Sequence, residues 1–370
     1  CLHDTEKVDN SSMKLSESLK IADTLTDNSV MSNLTFDSSL YMNPSDFERV
    51  CRIRKGQFST VEKYKRKGTD EYFAFKIISL ILNSNSPEAQ RMIKDLRREI
   101  VISSAFNDPT LHSLYGIIDD LEKNCNFILI TRFYSKGDLQ AMLNREMKKE
   151  SPPEWDFTQK FITLYGIASA MFILHQQDII HRDLKSENVL FTDDHEPMVT
   201  DFGLSKIVDS QNQMHQTQIA GSPIYMSPEA MKSEGMDEYN YDGKKADVYS
   251  FSIICYQLFT LKNPFEGIVE SNNYFQLVEY VTEGGRPLLP EDSDSPLIQL
   301  MKDCWNQEAE ERPSFEQILL LIGSKEFISK LKGIDIKRFL EYQRKVVPDP
   351  KFILIQDEEE LEEMTEFDSN

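Results

Sequence analysis

The sequence predicts an α+β fold in two parts: a small strand-rich part, then a larger, mainly helical part. Three observations carry this expectation. Short β-type runs crowd residues 47–78, apolar positions at helical spacing dominate after Trp155, and a loop-rich stretch, 181–229, interrupts the helical part. Loops beyond about 15 residues in a compact domain are usually functional or disordered. Such a stretch at the junction of two lobes suggests a working cleft between them.

Taken in order, residues 1–43 are rich in Ser, Asn, Asp and Thr with isolated apolar positions, and read as a disordered or loosely attached flank. Residues 49–53, 60–64 and 72–78 read as strands. Pro87 suits a first helical turn. After it, Ile93, Leu96 and Ile100 recur at i, i+3 and i+7 and mark one buried helical face. Residues 127–131 read as a further buried strand, and 134–139, with Gly137, as a turn. Helical spacing returns over 161–175, 248–261 and 315–321. The expected organisation is therefore a flank over 1–43, a folded domain over 46–323 divided near residue 133 into lobes of about 46–133 and 134–323, and a C-terminal flank over 324–370. Within that flank 324–345 reads as an amphipathic helix, which either packs on the large lobe or binds a partner, ahead of an acidic tail. No internal repeat is visible.

The bulk properties exclude several classes. A formal net charge of −21 argues against binding nucleic acid or an anionic membrane, because phosphates require basic surface. Eight carboxylates between Asp357 and Asp368, with no Lys or Arg among them, read as a solvated, self-repelling tail. Cys1, Cys51, Cys125, Cys255 and Cys304 are scattered and include no CxxC pair, as in reduced thiols of a cytosolic or nuclear protein. No run approaches the ~18 apolar residues that span a bilayer, and the first thirty residues hold no signal-like apolar stretch. A chain opening on Cys1 rather than Met is expected of a fragment or a processed product.

The chemistry is concentrated in two loops. His181-Arg182-Asp183-Leu184-Lys185-Ser186-Glu187-Asn188 resembles the protein kinase catalytic loop, H-R-D-L-K-x-x-N. Asp201-Phe202-Gly203, eighteen residues after Asp183 and preceded by an extended run, resembles the family's magnesium-binding DFG. Together they supply a base and two metal ligands, the minimum for phosphoryl transfer. Ala74-Phe75-Lys76 resembles the V-A-I-K strand, and Arg97-Arg98-Glu99-Ile100 the helix that carries its ion-pair partner. Residues 221–229, Gly-Ser-Pro-Ile-Tyr-Met-Ser-Pro-Glu, resemble the end of the activation segment, and Glu229 is expected to pair with Arg312. The resemblance to protein kinases runs from about residue 46 to 321. Asp247-Val248-Tyr249-Ser250-Phe251 and Cys304-Trp305 with Arg312-Pro313-Ser314-Phe315 point to the tyrosine-kinase-like (TKL) group, while Lys185 favours Ser/Thr substrates.

This resemblance implies the two-lobed kinase fold, a small antiparallel β-sheet lobe with one main helix followed by a larger, mainly helical lobe, with ATP and Mg2+ as ligands and a protein hydroxyl as substrate. It makes Asp183 the base, Lys185 the charge-balancing cation, and Asn188 and Asp201 the metal ligands. Lys76, paired with Glu99, would hold the nucleotide phosphates. Ile53, Gly56, Val61, Ala74, Thr131 (the gatekeeper position), Tyr134 (the hinge) and Leu190 would form the nucleotide pocket. Arg182 suggests control by phosphorylation of the activation segment, with Thr217 first in line, then Ser210 and Ser222; Ser222 also matches the residue that positions the catalytic loop. The glycine-rich loop departs from G-x-G-x-x-G: only Gly56 remains, with Arg54 and Ser59 at the outer positions. A non-glycine residue costs about 1–2 kcal/mol where left-handed backbone is required, so nucleotide affinity is in question. A second reading stays open at this point, a pseudokinase acting as a scaffold.

Overall fold

The computed structural model describes residues 36–56, 59–79, 87–120, 126–207, 222–232, 241–270, 273–290, 295–347 and 349–352. The chain divides into two compact units, one holding residues up to Ser135 together with Asp201–Gly203, the other Lys136–Thr200 and the chain from Leu204 onward. The first unit thus ends two residues later than the sequence suggested, and it takes in the DFG residues.

In the first unit, β1 (Phe47–Lys55), β2 (Ser59–Arg66), β3 (Tyr72–Ser79), β4 (Leu114–Asp120) and β5 (Asn126–Arg132) form one antiparallel sheet in the order β1-β2-β3-β5-β4. Alternation along β3 divides its side chains between the two faces. Phe73 and Phe75 join Phe47, Ile118 and Ile130 on one face. On the other face Ile78 meets Ile117, Phe127 and Leu129, and helix α1 (Pro87–Ala105) lays Ile93, Leu96 and Ile100 on them. The helical periodicity that marked those three residues is therefore the seat of α1. Residues 36–43, expected as part of a loose flank, instead pack on this unit. Phe36 and Leu40 join the α1 cluster, and Met42 donates its N–H to the Ile117 carbonyl at 2.9 Å. Isolated apolar residues in a polar segment do not announce such a contact, because their partners lie on a strand some 75 residues downstream.

The second unit is built around α3. Its elements are α2 (Leu139–Met147), α3 (Phe157–Gln176), β6 (Ile179–Ile180), β7 (Val189–Phe191), β8 (Pro197–Val199), β9 (Lys206–Ile207), α4 (Pro228–Lys232), α5 (Gly243–Thr260), α6 (Tyr274–Thr282), α7 (Pro296–Cys304), α8 (Phe315–Ile322), α9 (Lys325–Ile328) and α10 (Ile336–Val346). The Asp156 side chain caps α3 by accepting the Gln159 N–H at 2.7 Å. Contrary to the sequence reading, α3 is long and apolar enough to cross a bilayer by length and composition, but 83% of that apolar window is buried inside the unit. It is a core helix.

The C-terminal flank contributes to that burial. The region expected to be one amphipathic helix is two, α9 and α10, separated by a turn at Gly333 with φ +77°. Phe339 and Val346 are buried, and the Ser169 hydroxyl of α3 donates to the Val346 carbonyl at 2.9 Å. Gln343 donates to the Tyr165 hydroxyl at 3.2 Å, and Arg338 pairs with Asp156 at 2.8 Å. The close approach is possible because residue 166 is Gly: an added Cβ would lie 2.2 Å from the Tyr342 hydroxyl. Of the two fates open to this flank, the structure shows packing on the large unit.

Candidate active site

The first unit gathers several of the expected nucleotide-pocket residues on its sheet. Directly opposed residues of an antiparallel pair share a face. Arg54 opposes Val61, Val61 opposes Lys76 and Lys76 opposes Leu129, while Ala74 opposes Thr131. Val61, Ala74, Lys76 and Thr131 therefore lie on one face, as a shared ligand would require. Ile53 is the extra residue at a bulge between Arg52 and Arg54 and is 48% exposed. Gly56 closes the β1–β2 hairpin by donating to the Ser59 carbonyl at 2.8 Å. Neither Arg54 nor Ser59 has a positive φ. The expected backbone penalty for losing the outer glycines is therefore not incurred, because both residues lie in strand conformation. Tyr134 packs edge-on against the buried His112, with ring centroids 5.7 Å apart.

Lys76 is the electrostatic centre of this half. Its Nζ lies 2.7 and 2.9 Å from the Glu99 carboxylate and 3.3 Å from Asp201 Oδ1. Burial works against its charge, but Glu99 and Asp201 outweigh that cost and hold the ammonium well above its ordinary pKa. Burial also pushes the Glu99 carboxyl up, against the pull of Lys76. Asp201 itself sits in the left-handed region at φ +69°, a conformation rare for a non-glycine residue and typical of constrained sites.

The second unit holds the loop 181–188, the expected catalytic loop. Lys185 Nζ lies 2.6 Å from Asp183 Oδ2 and 3.1 Å from the Ser222 hydroxyl. Asn188 donates its amide to the Asp183 carbonyl at 2.8 Å and to Oδ2 at 3.1 Å, and the Ser222 N–H donates to Oδ1 at 3.1 Å. The carboxylate is thereby fixed from three sides. Leu190 is half-buried on β7, where it opposes Met198.

Beneath the loop lies a residue whose chemistry the motifs did not reveal. Asp247 of α5, 1% exposed, accepts the backbone N–H groups of His181 at 2.8 Å and Arg182 at 2.9 Å, and also touches His175 Nε2 at 2.9 Å. It holds Arg182 at φ +70°. In sequence Asp247 marks a family; in the fold it supports the loop. The expected Glu229–Arg312 pair is bidentate at 2.7 and 2.8 Å, with the guanidinium fully buried. His112 was also missed. Burial lowers its pKa to about 4, with Lys76 adding to the effect, so it is neutral at physiological pH. Thr217, Ser210 and the acidic run 357–368 lie outside the described residues.

Each of the two expected magnesium ligands, taken by itself, offers oxygen. The Asn188 amide nitrogen is committed to Asp183, which leaves its oxygen, and Asp201 is a carboxylate; hard cations take oxygen ligands. Among the described residues no cluster of three or more His, Cys, Asp or Glu forms a protein-only metal site. Magnesium usually relies on one or two protein oxygens plus substrate phosphates and water.

Comparison with known proteins gives the same reading. A protein named "Probable LIM domain-containing serine/threonine-protein kinase" from Dictyostelium discoideum is 36% identical over 229 residues, covering 61% of this chain and 32% of that protein. Serine/threonine-protein kinase CTR1 of Arabidopsis thaliana is 29% identical over 274 residues, 73% of this chain and 30% of that protein. Dual specificity protein kinase shkB of Dictyostelium discoideum is 28% identical over 277 residues, 75% of this chain and 39% of that protein. The chain thus spans less than half the length of each of these relatives. Residues 47–320 match the family model described as protein kinase domain. With the Lys76–Glu99 pair joining an antiparallel sheet to helix α1 in one unit and the Asp183 loop in a helical other, the chain belongs to the protein kinase family and has its α+β, two-lobed fold.

Proposed function

We propose that the chain is an ATP-dependent protein serine/threonine kinase of the TKL group, acting in cytoplasmic signalling. One observation carries this reading: the Asp183 carboxylate is held by Lys185, Asn188 and the Ser222 N–H, poised for a substrate hydroxyl. The substrate oxygen would form a bond to the γ-phosphorus as the bond to the β–γ bridging oxygen breaks and ADP departs. Asp183 orients the hydroxyl and accepts its proton, while Lys185 offsets the developing charge. Lys76, fixed by Glu99, holds the α- and β-phosphates. Magnesium, bound by Asn188 and Asp201 with the phosphates, would neutralise charge on the transferred group.

Arg54 and Ser59 motivated the scaffold alternative, yet every side chain the reaction needs is present and no observation favours a silent scaffold. Lys185 supports Ser/Thr over Tyr hydroxyls; the relative named as dual specificity makes tyrosine transfer a result to be scored. The free thiols Cys51, Cys255 and Cys304 support a reducing location. Phosphorylation of Thr217, read by Arg182, is the proposed activating event. The test is magnesium-dependent phosphate transfer from ATP to a generic Ser/Thr protein, run beside Asp183→Asn. Transfer by the parent that collapses in the variant supports the reading. No transfer from folded, Thr217-phosphorylated protein sinks it.

A further inference from the structure

We propose that residues 36–43 are a positioning element for catalysis: strapped across the edge of the sheet, they hold α1 in its seat and thereby keep Glu99 on Lys76. The inference rests on the kinase reading above and adds a control point to it.

The strap engages both faces of the edge strand. Phe36 and Leu40 pack into the cluster that seats α1, with the Phe36 ring edge-on to Phe127 at 6.2 Å. Met42 packs against the cluster on the opposite face. Between them Tyr41 forms a parallel bridge with Ile117, and the Met42 N–H donates to the Ile117 carbonyl at 2.9 Å. The turn at Ser38–Leu40 is capped by Asp37, whose Oδ1 accepts the Ser39 N–H at 2.9 Å. Residue 116 is matched to this contact: a Cβ on Gly116 would lie 2.5 Å from Met42 Cγ and 2.8 Å from the Leu40 carbonyl. A side chain there and a docked strap exclude each other.

The connection to chemistry is short. Leu96 and Ile100, which share the cluster with Phe36 and Leu40, flank Glu99 on the same helix. Glu99 reaches Lys76 at 2.7 Å, and a hydrogen bond of that length is lost when its helix moves by about 1 Å. Interiors are close-packed and transmit such shifts. Phe36 and Leu40 pack on the cluster that seats α1, which does not include Val61, Ala74, Lys76 or Thr131, so their effect runs through the helix that carries Glu99.

Two independent variants of the full chain release the strap, Phe36→Ala/Leu40→Ala from its own side and Gly116→Val from the sheet. Both are expected to raise amide hydrogen exchange along residues 94–104 and to lower kcat/KM for ATP about tenfold, within the usual range of coupling between sites. A synthetic peptide of residues 34–46 added in trans should restore activity to Phe36→Ala/Leu40→Ala, whose groove is open, and not to Gly116→Val, whose groove is filled. In a Glu99→Gln background the strap variants should have little further effect. Unchanged exchange along α1 overturns the proposal whatever the activity. So does a fall in kcat/KM that persists in full without Glu99, since that would mark a merely structural segment. Absence of transfer by the parent protein, with exchange rising as expected, would instead count against the kinase reading alone.

Discussion

Replacing Asp247 by Asn keeps its size and one oxygen and removes the charge that two backbone N–H groups share. The parent carboxylate is buried and accepts His181 N–H at 2.8 Å on Oδ2 and Arg182 N–H at 2.9 Å on Oδ1. In the variant, one of those two sites becomes an NH2 group facing an N–H donor. One charge-assisted hydrogen bond is lost and a buried donor is stranded, for a combined cost of about 3 kcal/mol. The catalytic consequence follows from the backbone. Arg182 is held at φ +70°, a conformation that persists only while its surroundings enforce it. Relaxation at Arg182 moves Asp183, the next residue, and a misplacement of about 1 Å costs on the order of a hundredfold in rate. Urea unfolding monitored alongside single-turnover transfer measures both effects. A stability loss under about 0.5 kcal/mol, with turnover unchanged, would show that Asp247 does not support the loop.

His112 links stability to pH. Burial lowers its folded pKa to about 4, against about 6.5 in an unfolded chain, so between those values the unfolded state binds the extra proton. Its contribution is complete above pH 6.5 and falls by roughly 3 kcal/mol as pH drops to 4; urea titrations should find that His112→Gln loses less stability over this interval than the parent. Gly166→Ala should destabilise by about 1–3 kcal/mol through overpacking, because its Cβ would lie 2.2 Å from the Tyr342 hydroxyl and 2.5 Å from Pro197. Adding Tyr342→Phe should recover part of that loss and leave the remainder to Pro197; full additivity of the two changes would deny that α10 rests on Gly166.

Much of the fold was legible where local pattern and tertiary role agree. The periodic Ile93, Leu96 and Ile100 do seat α1, and the apolar alternation of β3 does divide two packed faces. β4 was missed because Gly116, Asp119 and Asp120 are poor strand formers. Its pairing with β5 is what makes it a strand. Helices α2 and α6, nine residues each, were too short for periodicity to separate from loop. The strap was hidden for a related reason: Phe36, Leu40 and Met42 look unconnected until β4 exists to receive them.

The site divides along the same line. Residues proposed to touch reactants must be particular types at fixed spacing, so Asp183, Lys185, Asn188 and Asp201 were visible as loop motifs, and Lys76 with them. What holds those residues was not visible, because support comes from far along the chain and from the backbone. Asp247 reaches the loop across 65 residues or more, and the Ser222 N–H reaches Asp183 across 39. A backbone N–H carries no sequence signature. The glycine-rich loop shows the converse. Its lost glycines implied strain, but the strand conformation of Arg54 and Ser59 removes the implication. Arg54 opposes Val61 on the Lys76 face, whereas Arg49 is held by Glu62 at 2.6 Å, and Glu62 opposes Phe75 on the other face. The substitution therefore exchanges backbone freedom for a cation on the side where Lys76 stands, and its charge suits an anionic ligand rather than opposing one.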